Sequence, residues 1–172
     1  MTQELIDLRN RILQQRYTEA LAIVDDLEGM SRQGILRNIQ SFLKILLIHL
    51  IKIQVEQRIT NSWAASIRNS LIEIKKLNLK ENKKSYYINL NEWDTYIEDE
   101  IEVAIRDASM EVLDGIYNEF QITEVVERNQ VISICLEVLA LTYSYSVKEL
   151  PAVIADFLTQ LPGGNDWKLG KK

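Results

Sequence analysis

Cysteine, proline and glycine are scarce in this chain, with one, two and six among 172 residues. A single Cys135 cannot close an intramolecular disulfide, and it lies in an apolar run where a small hydrophobe serves equally well, so a disulfide-stapled secreted scaffold is excluded. So few turn formers argue against a β protein with many connections, and no Ser/Gly/Pro-rich linker divides the chain. The opening Met1-Thr2-Gln3-Glu4 lacks the basic segment and apolar stretch of an export signal, so a cytoplasmic location is expected. The most apolar stretch, Phe42 to Val55, is broken by Lys44, His49, Lys52 and Gln54 and falls short of the roughly 20 apolar residues of a bilayer span. It reads as a buried helix, with no membrane partner.

What is abundant is the material of packed helices, since 47% of residues are hydrophobic and Leu, Ile, Glu and Lys dominate. This length suits one core, so one helical domain is expected over residues 1–162, followed by a flexible tail, 163–172. The expected fold is all-α, an irregular helical bundle of about six to seven helices around one long central helix. Apolar spacing predicts helices over 3–15 and 17–27, with Gly29 ending the second. Ser31 is a plausible N-cap for the central helix, which runs to about Arg58 and is apolar on nearly every side in its upper part.

Thr60-Asn61-Ser62 can cap a fourth helix whose inner face carries Trp63, Ile67, Leu71, Ile74 and Leu77. Residues 78–91 read as a long or partly mobile loop. Asn91 then caps a helix that stops at Gly115, Thr123 caps another to about Tyr143, and Ser146 or Pro151 opens the last, ending near Leu161.

The stretch Arg37-x-Ile39-x-Ser41-x-Leu43-x-x-Leu46-Leu47-Ile48-His49-Leu50-Ile51-Lys52, followed by Ser62-Trp63 and Ile67, resembles a bacterial, mainly cyanobacterial family called domain of unknown function twenty-nine. That family's core pattern leads from a Ser and leucines into His-Leu-Leu-Lys and then Ser-Trp; here Ile51 replaces the second Leu of the tetrapeptide. The resemblance is strongest over residues 31–77 and extends from residue 1 to about 115. It implies an all-helical bacterial cytoplasmic protein, and it carries over no catalytic residue.

Three sets of residues invite chemistry. His49, the only histidine, shares a polar stripe with Lys52 at i+3 and Glu56 at i+7. It is a candidate general base of a hydrolase or nuclease, or a metal ligand. Glu56, however, lies roughly 10 Å along the axis, and the residue three before His49 is Leu46, so the helical metal spacing Glu-x-x-His is absent. The favoured reading is a structural, hydrogen-bonded histidine, with no metal or cofactor expected.

The second set is basic. Residues 31–84 carry eleven basic and three acidic groups, and residues 85–172 carry six and sixteen. Arg58, Arg68, Lys75, Lys76, Lys80, Lys83 and Lys84, interleaved with Trp63, Tyr86 and Tyr87, combine cations for phosphates with aromatics for bases, the ingredients of RNA or single-stranded DNA binding. The alternative, and the default, is a surface that complements the acidic second half of the chain. The third set, Glu98-Asp99-Glu100-Glu102, offers hard-cation oxygens but no loop of alternating ligands, and reads as a solvated helix face.

With no phosphate loop and no nucleophile triad, the leading expectation is a non-enzymatic helical interaction module, whose partner is another protein or a second copy of itself in a homodimer. Nucleic-acid binding through residues 58–87 and an enzyme using His49 are the alternatives.

Overall fold

The structure, a computed structural model, describes residues 2–171 and is all-α: among them are eight α-helices and no strand, only an isolated antiparallel bridge between Leu79 and Tyr86. The chain forms two compact units, one up to Asn38 and one from Ile39 onward. The single-domain expectation treated these together.

In the first unit, α1 (Gln3–Leu13) leads through a turn with Gln15 at φ 58° into α2 (Tyr17–Glu56). Arg11 and Arg16 both reach the Glu19 carboxylate, at 3.0 and 2.6 Å, and hold this turn. The unit has almost no interior. Ala20 is buried, α1 has no buried residue, and Leu13 and Leu21 are 73% and 63% exposed.

The expected break at Gly29 and Ser31 does not occur, and α2 runs through both for 40 residues. A mid-helix glycine costs about 1 kcal/mol relative to alanine but does not end a helix unless the chain turns there, and Gly29 is not among the glycines with positive φ. By length and apolar composition α2 is sufficient to cross a membrane. Its second half nevertheless forms the core of the second unit, where Ile39, Leu43, Leu46, Leu47 and Ile51 are fully buried.

Around that half lie α3 (Asn61–Asn78), α4 (Trp93–Ser109), α5 (Glu119–Val125), α6 (Arg128–Ser144) and α7 (Leu150–Leu158), with α8 (Gly164–Lys168) last. The α3 cap is as the sequence predicts: Thr60 Oγ1 accepts the Trp63 N–H at 3.1 Å, and Trp63, Ile67, Leu71 and Ile74 face inward. α3 packs on α6 and α7, and α4 on α5 and α6.

Residues 78–91, expected as a long or partly mobile loop, begin with buried Asn78 as the last residue of α3, and Asn78 anchors the rest. Its Oδ1 accepts the Ile88 N–H at 2.7 Å and its Nδ2 donates to Ile88 O at 2.9 Å. Tyr143 Oη donates to the same carbonyl at 2.6 Å and accepts from Trp93 Nε1 at 2.7 Å. Backbone groups the sequence leaves open are thus satisfied by side chains from distant helices.

Three other boundaries move for similar reasons. α4 ends at Ser109 rather than Asp114, and Leu113 (φ 48°, ψ 43°), Asp114 (φ 56°, ψ 33°) and Gly115 (φ 78°) follow in left-handed conformation. Thr123 does not cap a helix but lies inside α5, donating to Glu119 O at 2.7 Å; the α5 cap is Asn118. The break between α5 and α6 is held by Gln54 of α2, whose Nε2 donates to Glu127 O at 3.1 Å and whose Oε1 accepts the Glu127 N–H at 2.8 Å.

Of the segment 163–172, read as a flexible tail, residues 163–171 contain α8, and Lys172 lies outside the described residues. Gly163, at φ 78°, lies against the backbone of Gln57 and Arg58, where a Cβ would come within 2.4 Å of Arg58 Cα. Trp167 Nε1 donates to Asn61 Oδ1 at 2.9 Å, tying α8 to the start of α3.

Candidate ligand cleft at the end of α2

The His49-Leu50-Ile51-Lys52 tetrapeptide and the Ser62-Trp63 pair meet in space. Ile53 and Ile59 are both buried on either side of the α2–α3 turn, and Gln57 at φ 56° reverses the chain, so the last turn of α2 faces the first turn of α3. Lys52 Nζ then lies 4.7 Å from the centroid of the Trp63 ring, and Arg58 Cζ lies 4.9 Å from it. Trp63 is itself 7% exposed and the Lys52 side chain 9%, so that pair is largely out of water, where the attraction is stronger than at a surface, while Arg58 keeps most of its side chain in solvent.

These groups line a cleft of about 470 Å³ with Glu56, Glu111 and Asp114. Glu56 is nearly buried; its Oε1 accepts from Arg58 Nε at 2.9 Å and its Oε2 from the Leu113 N–H at 3.1 Å. That second bond holds the left-handed Leu113–Asp114 pair in place. Non-glycine residues there cost roughly 1–2 kcal/mol each, and such backbone concentrates at sites that need a fixed geometry. Glu111 Oε1 stands 3.7 Å from Lys52 Nζ, an ion pair by distance but too long for a good hydrogen bond.

His49 is half-buried beside this group without lining the cleft. Its Nδ1 lies 2.8 Å from Ile45 O, the helical i−4 carbonyl, which places the proton on Nδ1. Burial holds its pKa below the ordinary value of 6.5, with Lys52 adding to the depression, while the Ile45 bond and Glu111 oppose it. Among the described residues, no group of three or more His, Cys, Asp or Glu is arranged to hold a metal ion. Cys135 is fully buried, and burial raises its thiol pKa far above the ordinary value, which suppresses the thiolate.

The basic set is not gathered into one surface. Arg58 belongs to the cleft, ahead of the start of α3, and Lys75 lies roughly 21 Å farther along that helix. Lys75 Nζ donates to Thr142 O at 2.5 Å, and partial burial lowers its pKa. Tyr86 packs on Tyr143 with centroids 4.6 Å apart, and Lys80 sits over Tyr87 at 5.4 Å. Lys76, Lys83 and Lys84 are exposed near the end of α3, and Arg68 is partly buried along it. In the acidic set, Glu102 is ion-paired with Arg128, and burial raises the pKa of Glu100.

Sequence reasoning missed Glu111 and the Leu113–Asp114 turn, because Gly115 is the visible helix stop and residues 111–114 read as its last turn. No local signal brings them to Lys52.

The fold and cleft define a helical-bundle protein in which a His-Leu-Ile-Lys helix end and a Ser-Trp helix start build one polar, mixed-charge recess. The chain belongs to the family Domain of unknown function DUF29, whose model matches residues 2–133, farther than the motif residues themselves reach. No curated protein and no solved structure matches it.

Proposed function

We propose that this protein is a non-enzymatic interaction module that pairs with a second copy of itself through α1 and the first half of α2. The observation that carries this reading is the uncovered apolar surface of the first unit, with Leu5, Ile12, Leu13, Leu21, Val24 and Met30 all at least 41% exposed. A two-helix hairpin cannot bury its own apolar faces, and two hairpins make a four-helix bundle that can.

The charge pattern favours a second copy, in antiparallel register, over an unrelated partner. Asp25, Glu28 and Arg32 lie on one flank of α2 beside Leu21 and Val24 at spacings of three and four. None of the three has an ion-pair partner among the described residues. A twofold axis near residue 30 sets Arg32 of each copy against Asp25 and Glu28 of the other, whereas parallel pairing sets like charges together.

Sedimentation of the full chain across a concentration series tests this. A dimer is expected, and Leu21→Glu with Val24→Glu should render it monomeric with unchanged helicity. Arg32→Glu should weaken pairing by about tenfold. Adding Asp25→Arg and Glu28→Arg should restore it, which only self-pairing explains. A chain that remains monomeric at the highest concentration sinks the proposal.

A further inference from the structure

We infer that the cleft between the end of α2 and the start of α3 binds a free α-amino acid, its carboxylate on Lys52 and its ammonium on Glu111 and Asp114. The Lys52 side chain is only 9% exposed, and among the described residues its ammonium makes no hydrogen bond, having the 3.7 Å approach of Glu111 and the Trp63 ring as its partners. An ammonium carries three donors; among the described residues no buried side-chain nitrogen or oxygen lacks a partner, so the Lys52 ammonium reaches the water of the cleft and can exchange that water for an oxygen ligand.

The other charges select which ligand. Glu56 has both oxygens engaged, one on Arg58 Nε and one on the Leu113 amide, so it is not available without breaking the turn, whereas Arg58 uses one of its five donors there and stays 59% exposed. The lining thus holds two cations, Lys52 and Arg58, against three carboxylates, of which Glu56 is engaged and Glu111 and Asp114 stand toward the cleft. A phosphate or a polyanion meets net repulsion there, and a plain cation meets the Lys52 ammonium.

A zwitterion matches. The amine nitrogen and the nearer carboxylate oxygen of an α-amino acid, separated by the α-carbon and the carboxyl carbon, stand roughly 3 Å apart. That fits the 3.7 Å offset between Lys52 Nζ and Glu111 Oε1 and forms two opposed ion pairs. A recess of about 470 Å³ has room for one such molecule, with Trp63 as a rigid wall.

This inference is independent of self-association, since every lining residue lies in the second unit. The test is calorimetric titration of the full chain at low salt with each of the common amino acids, and with acetate, methylamine and inorganic phosphate as controls. Saturable binding of at least one amino acid is expected, about tenfold weaker or worse for its N-acetyl and its amide derivatives.

Lys52→Met keeps the length and the contact with Trp63 and should abolish binding with the helical circular dichroism intact. Glu111→Gln, at a half-exposed position where misfolding is not expected, should weaken it by about tenfold. The inference is overturned if no amino acid binds, if acetate or phosphate binds as well as the zwitterion, or if folded Glu111→Gln binds unchanged.

Discussion

Lys52 and Trp63 are eleven positions apart in the chain and in cation–π contact in the fold, at 4.7 Å. The two members of the pair have different duties. Trp63 fills the space between the end of α2 and the start of α3, so Trp63→Ala should destabilise the protein by about 3–5 kcal/mol in urea denaturation. Lys52→Met removes a buried charge and keeps the volume, so its stability should change by less than about 1 kcal/mol. A loss at Lys52 as large as that at Trp63 would assign the lysine to core stability rather than to a ligand.

Gly163→Ala tests the docking of the C-terminal segment. The new methyl would meet main-chain atoms, Arg58 Cα at 2.4 Å and Gln57 O at 2.7 Å, and the residue sits at φ 78°. No side chain can move aside to relieve that contact. The expected cost is about 1–3 kcal/mol, with faster hydrogen exchange at the Trp167 indole as the Asn61 bond opens.

His49 sets a pH dependence whose sign follows from its lowered pKa. The folded state disfavours the proton, so between the folded pKa and the ordinary 6.5 the unfolded chain binds more protons. Stability from this group is therefore fully present above 6.5 and falls as pH drops toward the folded value. His49→Gln should flatten that part of the curve of urea midpoint against pH between 7 and 5, relative to the unmodified protein. An identical slope in the variant would remove His49 as its cause.

Tyr143→Phe deletes a hydroxyl that donates to Ile88 O and accepts from Trp93 Nε1 and Asn78 Nδ2. Removing one member of such a half-buried network should cost about 1–3 kcal/mol. The exchange rate of the Ile88 amide, bonded to Asn78, should rise with it. A variant as stable as the parent would mean that water replaces the hydroxyl at no cost.

Helix identity was legible because periodic apolar residues and local caps act over three or four positions. The inner face of α3, its Thr60 cap and the largely apolar second half of α2 follow from that rule alone. Of the cleft, Lys52 and Glu56 were visible as a polar stripe with His49, Arg58 as a member of the basic set and Trp63 as an inner-face residue, and the family motif marked Lys52 and Trp63.

Glu111 and the left-handed Leu113–Asp114 turn were not visible. They depend on Glu56 accepting a backbone N–H from 57 positions away, an interaction that exists only once α4 has packed. The same holds for the break at Glu127, which Gln54 stabilises, and for residues 79–91, which Asn78 and Tyr143 anchor.

The amino-acid order by itself therefore determined that the chain is helical and where most apolar faces lie, because those preferences are local. Which helices end early, which loop is anchored and which charges share a cleft came from tertiary packing, because the partners that satisfy each buried polar group come from distant parts of the chain.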